Sequence, residues 1–197
     1  GIWNEDITEE VSYYIGRAYA TKLLSLKKNK MIVGYDNRLS SPIIEKNLVK
    51  GLTDGGVDVV RLGLVTTPMY YYAWDKLNIH CGIMITASHN PKEYNGFKMS
   101  YNGIHNCFGN EVAELYYIIL NGIYSKGNGS ITDANIKEDY IKMINSHINM
   151  GSNKLKVIYD CGNGTTSIVA KDIFVSNDNI EYIPLFAESD GTFPNPV

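Results

Sequence analysis

Short apolar runs along this chain alternate with stretches in which apolar residues recur every three or four positions. The runs at residues 31–33, 57–62 and 81–85 have the length of buried strands. Two stretches between them have helical spacing, and they begin with Ser41-Pro42 and Thr67-Pro68, a hydroxyl residue and a proline that favour a helix start. This alternation predicts a layered α/β domain with right-handed crossovers between neighbouring parallel strands.

Further predicted elements precede and follow this alternation. Thr8 is followed by two acidic residues and predicts the start of a first helix. Residues 97–101 predict a strand that ends in the turn Asn102-Gly103, which favours a hairpin or an antiparallel strand at the sheet edge. The remaining predictions are a helix around residues 112–119, a flexible loop at 127–130, a helix at about 134–150, strands at 155–159 and 180–185, and a helix from about residue 165.

A short polar segment at residues 151–154 is a candidate linker between domains. It divides the chain into residues 1–150 and residues 151–197. The first part is expected to form a mixed sheet with helices on both faces, and the second part starts a similar α/β unit. After Phe186 no helix is predicted, so we expect one complete α/β domain followed by an incomplete one.

The composition excludes several classes of protein and leaves the predicted fold unchanged. The 197 residues are 44% hydrophobic, enough for a sizeable core, and carry a net charge of −3. The sequence has no basic stripe, so a nucleic-acid partner is not expected. It also has no apolar run as long as a membrane span and no visible signal peptide. The three cysteines lack metal spacing and favour a reduced, cytoplasmic protein. No metal is assigned to His80, His105 or His147, because none has a second ligand at suitable spacing.

The predicted strand at 81–85 runs directly into a polar loop that contains Ser88 and His89. Ligands of α/β folds bind outside the carboxyl ends of strands, so this loop is the candidate site. Ser88 could be an ordinary loop serine that bonds local backbone, or a nucleophile or phosphate carrier. A serine-hydrolase pair is disfavoured, because the side chains of adjacent residues diverge and no Gly-x-Ser-x-Gly pattern surrounds the serine.

Residues 86–98, with the sequence TASHNPKEYNGFK, resemble the active-site loop of the α-D-phosphohexomutases, the family of phosphomannomutases and phosphoglucomutases. Four other segments resemble that family in the same order. They are residues 34–42, 63–68, 160–164 and 190–196. The resemblance therefore covers essentially the whole chain.

The resemblance implies that Ser88 is a phosphoserine that exchanges its phosphoryl group with hexose phosphates and hexose 1,6-bisphosphate. It also implies that Lys98 contacts the phosphoryl group and transfers protons. A phosphate adds about −1.5 to −2 charges at neutral pH, so the implied Mg²⁺ is physically reasonable beside Ser88. In this chain the metal would be bound through the Ser88 phosphate alone.

Several side chains have both a functional and a structural interpretation. His89 could donate a hydrogen bond to phosphate or substrate, or it could order the loop. Asn90 and Arg38 are candidates for phosphate or substrate binding. The alternative for Asn90 is that it shapes the loop, and the alternative for Arg38 is a structural ion pair with Asp36. Without the resemblance, Lys98 would be a solvated lysine on an edge strand.

Other parts of the family pattern are not found in this sequence. They are an arginine segment before Gly1, an aspartate-rich metal loop, and later loops that bind the sugar and the distal phosphate. We therefore expect a fragment of an enzyme that interconverts hexose 1-phosphate and hexose 6-phosphate, with little turnover by itself. A non-catalytic relative that binds sugar phosphates or a protein, and a phosphoglucosamine mutase, remain the alternatives, although residues 94–98 resemble the phosphomannomutase/phosphoglucomutase type more closely.

Overall fold

A computed structural model describes residues 1–103, 105–149 and 151–195. Over these residues, helices and strands alternate through most of the chain. They are α1 (Glu9–Ser25), β1 (Lys30–Tyr35), α2 (Ser41–Asp54), β2 (Asp58–Leu64), α3 (Thr67–Leu77), β3 (Gly82–Ile85), β4 (Phe97–Ser100), α4 (Asn110–Leu120), β5 (Ile131–Asp133), α5 (Lys137–Ser146), β6 (Leu155–Asp160), α6 (Ser167–Phe174) and β7 (Ile180–Leu185).

The first five strands form one mixed sheet in the order β4-β3-β1-β2-β5. β1 lies parallel to both β2 and β3, and β5 lies parallel to β2. β4 runs antiparallel to β3 at one edge, which confirms the predicted antiparallel edge strand. The sheet therefore brings the carboxyl ends of β1, β2 and β3 to the same edge.

Hydrophobic cores cover both faces of this sheet. Met31 and Val33 of β1 belong to a core with α1, α2 and α4, whereas Ile32 belongs to a second core with α3, α5 and α6. All three side chains are fully buried, as the continuous apolar run predicts for a strand covered on both faces. The predicted α/β fold with helices on both faces is confirmed.

The second sheet contains the parallel strands β6 and β7, which α6 connects. We call β6, α6, β7 and the segment to residue 195 the second unit, and the preceding elements the first unit. Val169 of α6 is buried in a core with Ile136 and Tyr140 of the first unit. The domain boundary between residues 150 and 151 stays a prediction, and Met150 lies outside the described residues.

Helices α2 and α3 begin at the predicted residues Ser41 and Thr67, but the capping residue lies one position earlier in each case. The N-cap of α2 is Ser40, and Ser41 is already helical and donates its hydroxyl hydrogen to Asp36 Oδ1 at 2.7 Å. The N-cap of α3 is Thr66, whose side chain accepts a hydrogen bond from the backbone of Met69. In both cases two adjacent hydroxyl residues satisfy the same capping pattern, so spacing cannot choose between them.

The helix predicted at 134–150 was predicted too long, and the predicted loop at 127–130 does carry no helix or strand. Residues 131–133 form β5 and helix α5 begins only at Lys137. The backbone N–H groups of Gly127 and Gly129 donate to Asp54 and Thr53, so the loop is bound to the end of α2. A Cβ on Gly127 would overlap the backbone of Gly56, and a Cβ on Gly129 would overlap the backbone of Val57, which explains the small residues there. Among the described residues, no helix is long and apolar enough to cross a bilayer.

Candidate active site

The candidate site lies at the sheet edge where β1 and β3 end. We call residues 86–96, which connect β3 to β4, the serine loop. Because β4 returns antiparallel, Lys98 pairs with Met84 and comes back beside this loop. Ser88, His89, Lys98 and Arg38 all border one cleft of about 350 Å³, so the structure brings these four predicted residues together.

Ser88 is exposed at the tip of the serine loop and has a left-handed backbone with φ of +54°. This conformation is uncommon for a residue with a Cβ and is maintained only when neighbouring groups fix it. The backbone N–H of Ser88 donates to Thr86 Oγ1 at 2.9 Å, and the N–H of Asn90 donates to the carbonyl of Ala87 at 3.1 Å. These bonds form a tight turn that leaves the Ser88 side chain accessible.

Arg38 lies behind this turn and is only 3% exposed. Its Nε donates to Asp36 Oδ2 at 3.1 Å, which is the ion pair that the sequence left open. The two terminal nitrogens donate to four carbonyl oxygens of the serine loop. These belong to Ser88 (3.0 Å), Asn90 (2.8 Å), Pro91 (2.6 Å) and Tyr94 (3.0 Å).

A guanidinium has five N–H donors, and each donor of Arg38 has an acceptor within the protein. Binding of a phosphate by Arg38 would therefore require one of these bonds to break. The contact of Arg38 with a phosphate stays a prediction, whereas its hydrogen bonds to the serine loop are present in the structure.

The end of the serine loop is fixed by Asn95, which is 1% exposed. Its Nδ2 donates to the hydroxyl oxygens of Ser40 and Ser41 at 2.8 and 2.9 Å, and its Oδ1 accepts from the N–H of Gly96 at 2.8 Å. The loop is thus attached to the start of α2. Asn95 therefore shapes the loop.

The other walls of the cleft include the N-terminal ends of two helices. Thr66 and Thr67 border it at the start of α3, and Thr165 and Thr166 border it just before α6. The partial positive charge at a helix N-terminus attracts anions, and Lys98 adds a full positive charge. The electrostatics of the cleft therefore suit a phosphorylated ligand.

Sequence reasoning missed Asn37, which connects the two units. Its backbone N–H donates to Thr165 Oγ1 at 3.1 Å, and the Thr165 hydroxyl donates to Asn37 Oδ1 at 3.0 Å. The Asn37 side-chain amide donates to the carbonyl of Asn163 at 2.8 Å and to Ser189 Oγ at 3.1 Å. Its position between Asp36 and Arg38 was the only signal available in the sequence.

Phe193 was also missed, although it borders the cleft. Its ring centroid lies 5.6 Å from Arg38 Cζ, and its backbone has φ of +47°. The preceding turn is built by Asp190, whose carboxylate accepts from the N–H and the hydroxyl of Thr192 at 2.8 and 2.7 Å. These bonds lower the pKa of the Asp190 carboxyl, and Lys92 lowers it further.

A second cavity of about 630 Å³ lies between the serine loop and residues of the second unit. Asn90 borders this cavity and not the first cleft, whereas Ser88, His89 and Arg38 border both. Cys161 also borders it, and burial raises the pKa of the Cys161 thiol, which disfavours the reactive thiolate. Asn90 therefore does not border the cleft that contains Lys98.

The structure offers few groups for a metal ion. Within the described ranges, no group of three His, Cys, Asp or Glu side chains is arranged to bind one. Asp36, the acidic residue bordering the cleft, is engaged by Arg38 and Ser41. The side chains present therefore do not by themselves fit a Mg²⁺ site. His80 and His105 border a separate cavity, away from Ser88.

Comparison with known proteins agrees with this geometry. The model of the phosphoglucomutase/phosphomannomutase α/β/α domain I matches residues 1–122, and the chain belongs to this family. It is 41% identical to a phosphomannomutase/phosphoglucomutase of Pseudomonas syringae, covering 99% of the chain and 41% of that relative. It is 37% identical to a phosphoglucomutase of Neisseria meningitidis, with 99% and 42% covered.

Two further matches belong to the same comparison. A phosphoglucosamine mutase of Finegoldia magna is 33% identical over 92% of the chain and 43% of its own length. A solved structure of a phosphoglucomutase/phosphomannomutase family protein from Burkholderia thailandensis superposes with a TM-score of 0.92 at 32% identity, covering the whole chain and 44% of that protein. The predicted family and fold are confirmed, and the chain spans about two fifths of the length of these relatives.

Proposed function

We propose that Ser88 carries a phosphoryl group between hexose 1-phosphate and hexose 6-phosphate through a hexose 1,6-bisphosphate. The observation that carries this proposal is the exposed Ser88 at the tip of a rigidly bonded loop, in one cleft with Lys98 and two helix N-termini. Phosphoryl transfer depends mainly on positioning and charge stabilisation, and both are present around this hydroxyl. Family membership supports the same chemistry.

In the proposed step, Ser88 Oγ attacks a phosphorus atom of the bisphosphate. The bond between Oγ and phosphorus forms while the bond between phosphorus and the sugar oxygen breaks. The Ser88 hydroxyl proton leaves, and the sugar oxygen gains a proton. Lys98 borders the same cleft and is the proposed proton-transfer group, while His89 donates a hydrogen bond to the phosphoryl oxygens.

The reverse step gives the phosphoryl group to the other hydroxyl of the sugar and completes the interconversion. We propose Mg²⁺ as the cofactor, bound in this chain through the Ser88 phosphate, where it would neutralise negative charge. The other ligands are not among the described side chains of the cleft. The other proposed contacts of this chain with the phosphoryl group are made by Lys98 and His89.

The proposed division of the chain follows the two sheets. Residues 1–150 carry the serine loop, and residues 151–197 form part of a second domain that closes one side of the cleft. Glucose and mannose phosphates are the proposed substrates of the whole protein. Hexosamine phosphates are a second candidate, which the similarity to a phosphoglucosamine mutase favours.

A test is to incubate the chain with glucose 1,6-bisphosphate and measure its intact mass. We expect a gain of one phosphoryl group, located by peptide mass spectrometry on Ser88. Ser88→Ala should gain nothing, and Ser176→Ala, which removes an exposed serine outside the cleft, should behave as the unmodified chain does. Absence of the gain in the unmodified chain, or its location on another residue, would contradict the proposal.

A further inference from the structure

We propose that Arg38 is a positioning residue for Ser88, and that Phe193 of the second unit keeps its guanidinium in the positioning geometry. This inference deepens the proposed function and rests on it for the reaction of Ser88. Arg38 was a candidate for direct phosphate binding. Its contacts instead assign it to the backbone of the loop that presents the serine.

The first argument comes from the hydrogen bonds of Arg38. The guanidinium connects carbonyl groups from Ser88 to Tyr94, so one rigid planar group fixes most of the serine loop. Asp36 holds the guanidinium from behind and is itself held by the Ser41 hydroxyl. A lysine has only three donors on a flexible stem and cannot reproduce this fork.

The second argument comes from the conformation of Ser88. Its φ of +54° requires support from neighbouring groups, because a Cβ disfavours this region. The N–H of Ser88 is bound by Thr86, which lies within the same loop. The carbonyl of Ser88 is bound by Arg38 at 3.0 Å, a contact that reaches across 50 positions of the chain. Arg38 therefore supplies support to the serine from outside the loop.

The third argument comes from the second unit. The ring of Phe193 lies 5.6 Å from Arg38 Cζ, so it stacks against a guanidinium whose hydrogen bonds go to Asp36 and the serine loop. Gly191 lets this segment approach closely, because a Cβ there would overlap the carbonyl of Asn37 and lie 3.0 Å from the N–H nitrogen of Leu39. Residues 36–38 consequently contact the serine loop on one side and the second unit on the other.

The first experiment measures amide hydrogen exchange in residues 86–96 of the full chain. Arg38→Lys should increase exchange in this segment about tenfold or more, because hydrogen bonds to a charged group are lost. Phe193→Leu should give a smaller increase, and Phe193→Tyr, which keeps the aromatic ring, should restore protection. Arg61→Lys is the matched control, since Arg61 has a bidentate bond to Asp133 away from the loop.

The second experiment separates positioning from substrate binding. The rate of Ser88 phosphorylation is measured at increasing concentrations of glucose 1,6-bisphosphate. For a positioning residue, Arg38→Lys and Phe193→Leu lower the limiting rate about tenfold or more and leave the half-saturating concentration unchanged. A half-saturating concentration that rises in Arg38→Lys, with an unchanged limiting rate, would overturn the inference in favour of direct phosphate binding.

The two experiments also distinguish failure of the inference from failure of the proposed function. If the unmodified chain accepts no phosphoryl group, the proposed function of Ser88 is wrong, while the exchange experiment still tests whether Arg38 and Phe193 order the loop. Unchanged exchange of residues 86–96 in both Arg38→Lys and Phe193→Leu would overturn the inference by itself. Phe193→Leu decides the outcome if Arg38→Lys does not fold.

Discussion

At the scale of single residues, Glu45 is a buried acidic group whose charged form is destabilised by the fold. It is 8% exposed, and its Oε1 has no hydrogen-bond partner in the part of the chain that the structure describes. Burial raises the pKa of the Glu45 carboxyl, the nearby Arg61 opposes this rise, and Asp133 adds to it. A raised pKa means that the folded state binds this proton more tightly than the unfolded state does.

The free energy of unfolding should therefore fall as the pH rises from the unfolded pKa of Glu45, about 4.3, through its folded value. Glu45→Gln removes this titration. We expect the variant to be more stable than the unmodified chain at neutral pH, by about 1 kcal/mol, and to lose this advantage below pH of about 4. Urea unfolding at several pH values measures the difference.

Glu5→Gln is the control, because Glu5 is exposed and has no comparable burial. A stability difference between Glu45→Gln and the unmodified chain that does not change with pH would contradict the assignment.

Arg38 shows how far residue-level prediction reaches. The sequence places Asp36 two positions before Arg38, so an ion pair between them could be proposed. The four carbonyl acceptors could not, because they depend on the backbone path of the serine loop, about 50 residues further along the chain. Phe193 contributes from still further away and has no local signal in the sequence.

At the scale of elements, the contact between α1 and α2 depends on two glycines. A Cβ on Gly16 would overlap the carbonyl of Leu48, and a Cβ on Gly51 would overlap the carbonyl of Tyr13 and lie 3.0 Å from the Arg17 nitrogen. The two helix backbones therefore touch directly. Neither glycine was singled out by the hydrophobic pattern, because the pattern reports which face is buried and not how closely helices approach.

Gly51→Ala sets two effects against each other. In an isolated helix, the change would stabilise by up to about 1 kcal/mol. Here the added methyl group meets backbone that cannot rotate away, so we expect a net destabilisation of about 1–3 kcal/mol, measured by urea unfolding. Lys46→Ala, on the exposed face of the same helix, should change stability by less than about 0.5 kcal/mol. A Gly51→Ala variant as stable as the unmodified chain would show that the helices can separate at no cost.

Element prediction succeeded for segments with a hydrophobic pattern and missed β5, which has none. The central strands and helices α1 to α3 were predicted because they bury several side chains at a regular spacing. β5 has three residues, all exposed, and its pairing with β2 is a backbone interaction that leaves no hydrophobic pattern. Residues 131–133 were therefore left unassigned, between the loop predicted at 127–130 and the helix predicted from about residue 134.

At the scale of the whole molecule, the second unit depends on the first for its burial. Val169 is 3% exposed and packs with Ile136 and Tyr140, and Lys137 forms an ion pair with Asp172 at 3.0 Å across the same contact. The outer side of β6 remains open, since Ile158 is 63% exposed. Most of what fixes the position of this unit is therefore its contact with the first unit.

Val169→Asp should lower the stability of the second unit and leave that of the first unit unchanged. It places an unpaired charge in this contact, so we expect amides of β6 and β7 to exchange about tenfold faster or more, while those of β1 and β3 keep their protection. Val175→Asp, at a position that is 52% exposed, should have little effect. Equal loss of protection in both sheets of Val169→Asp would show that the chain opens as one cooperative body.

The sequence by itself determined the α/β class, the order of the main elements, the family and the candidate phosphoserine loop. These features follow from hydrophobic periodicity and from local motifs, which are properties of neighbouring residues. Only the tertiary structure decided that Arg38 donates to the serine loop, that Phe193 stacks on it, and that Asn37 joins the two units. The physical reason is that a hydrogen bond or a ring contact needs atoms within a few ångströms, and these partners are separated by 50 to 155 positions and meet only in the folded chain.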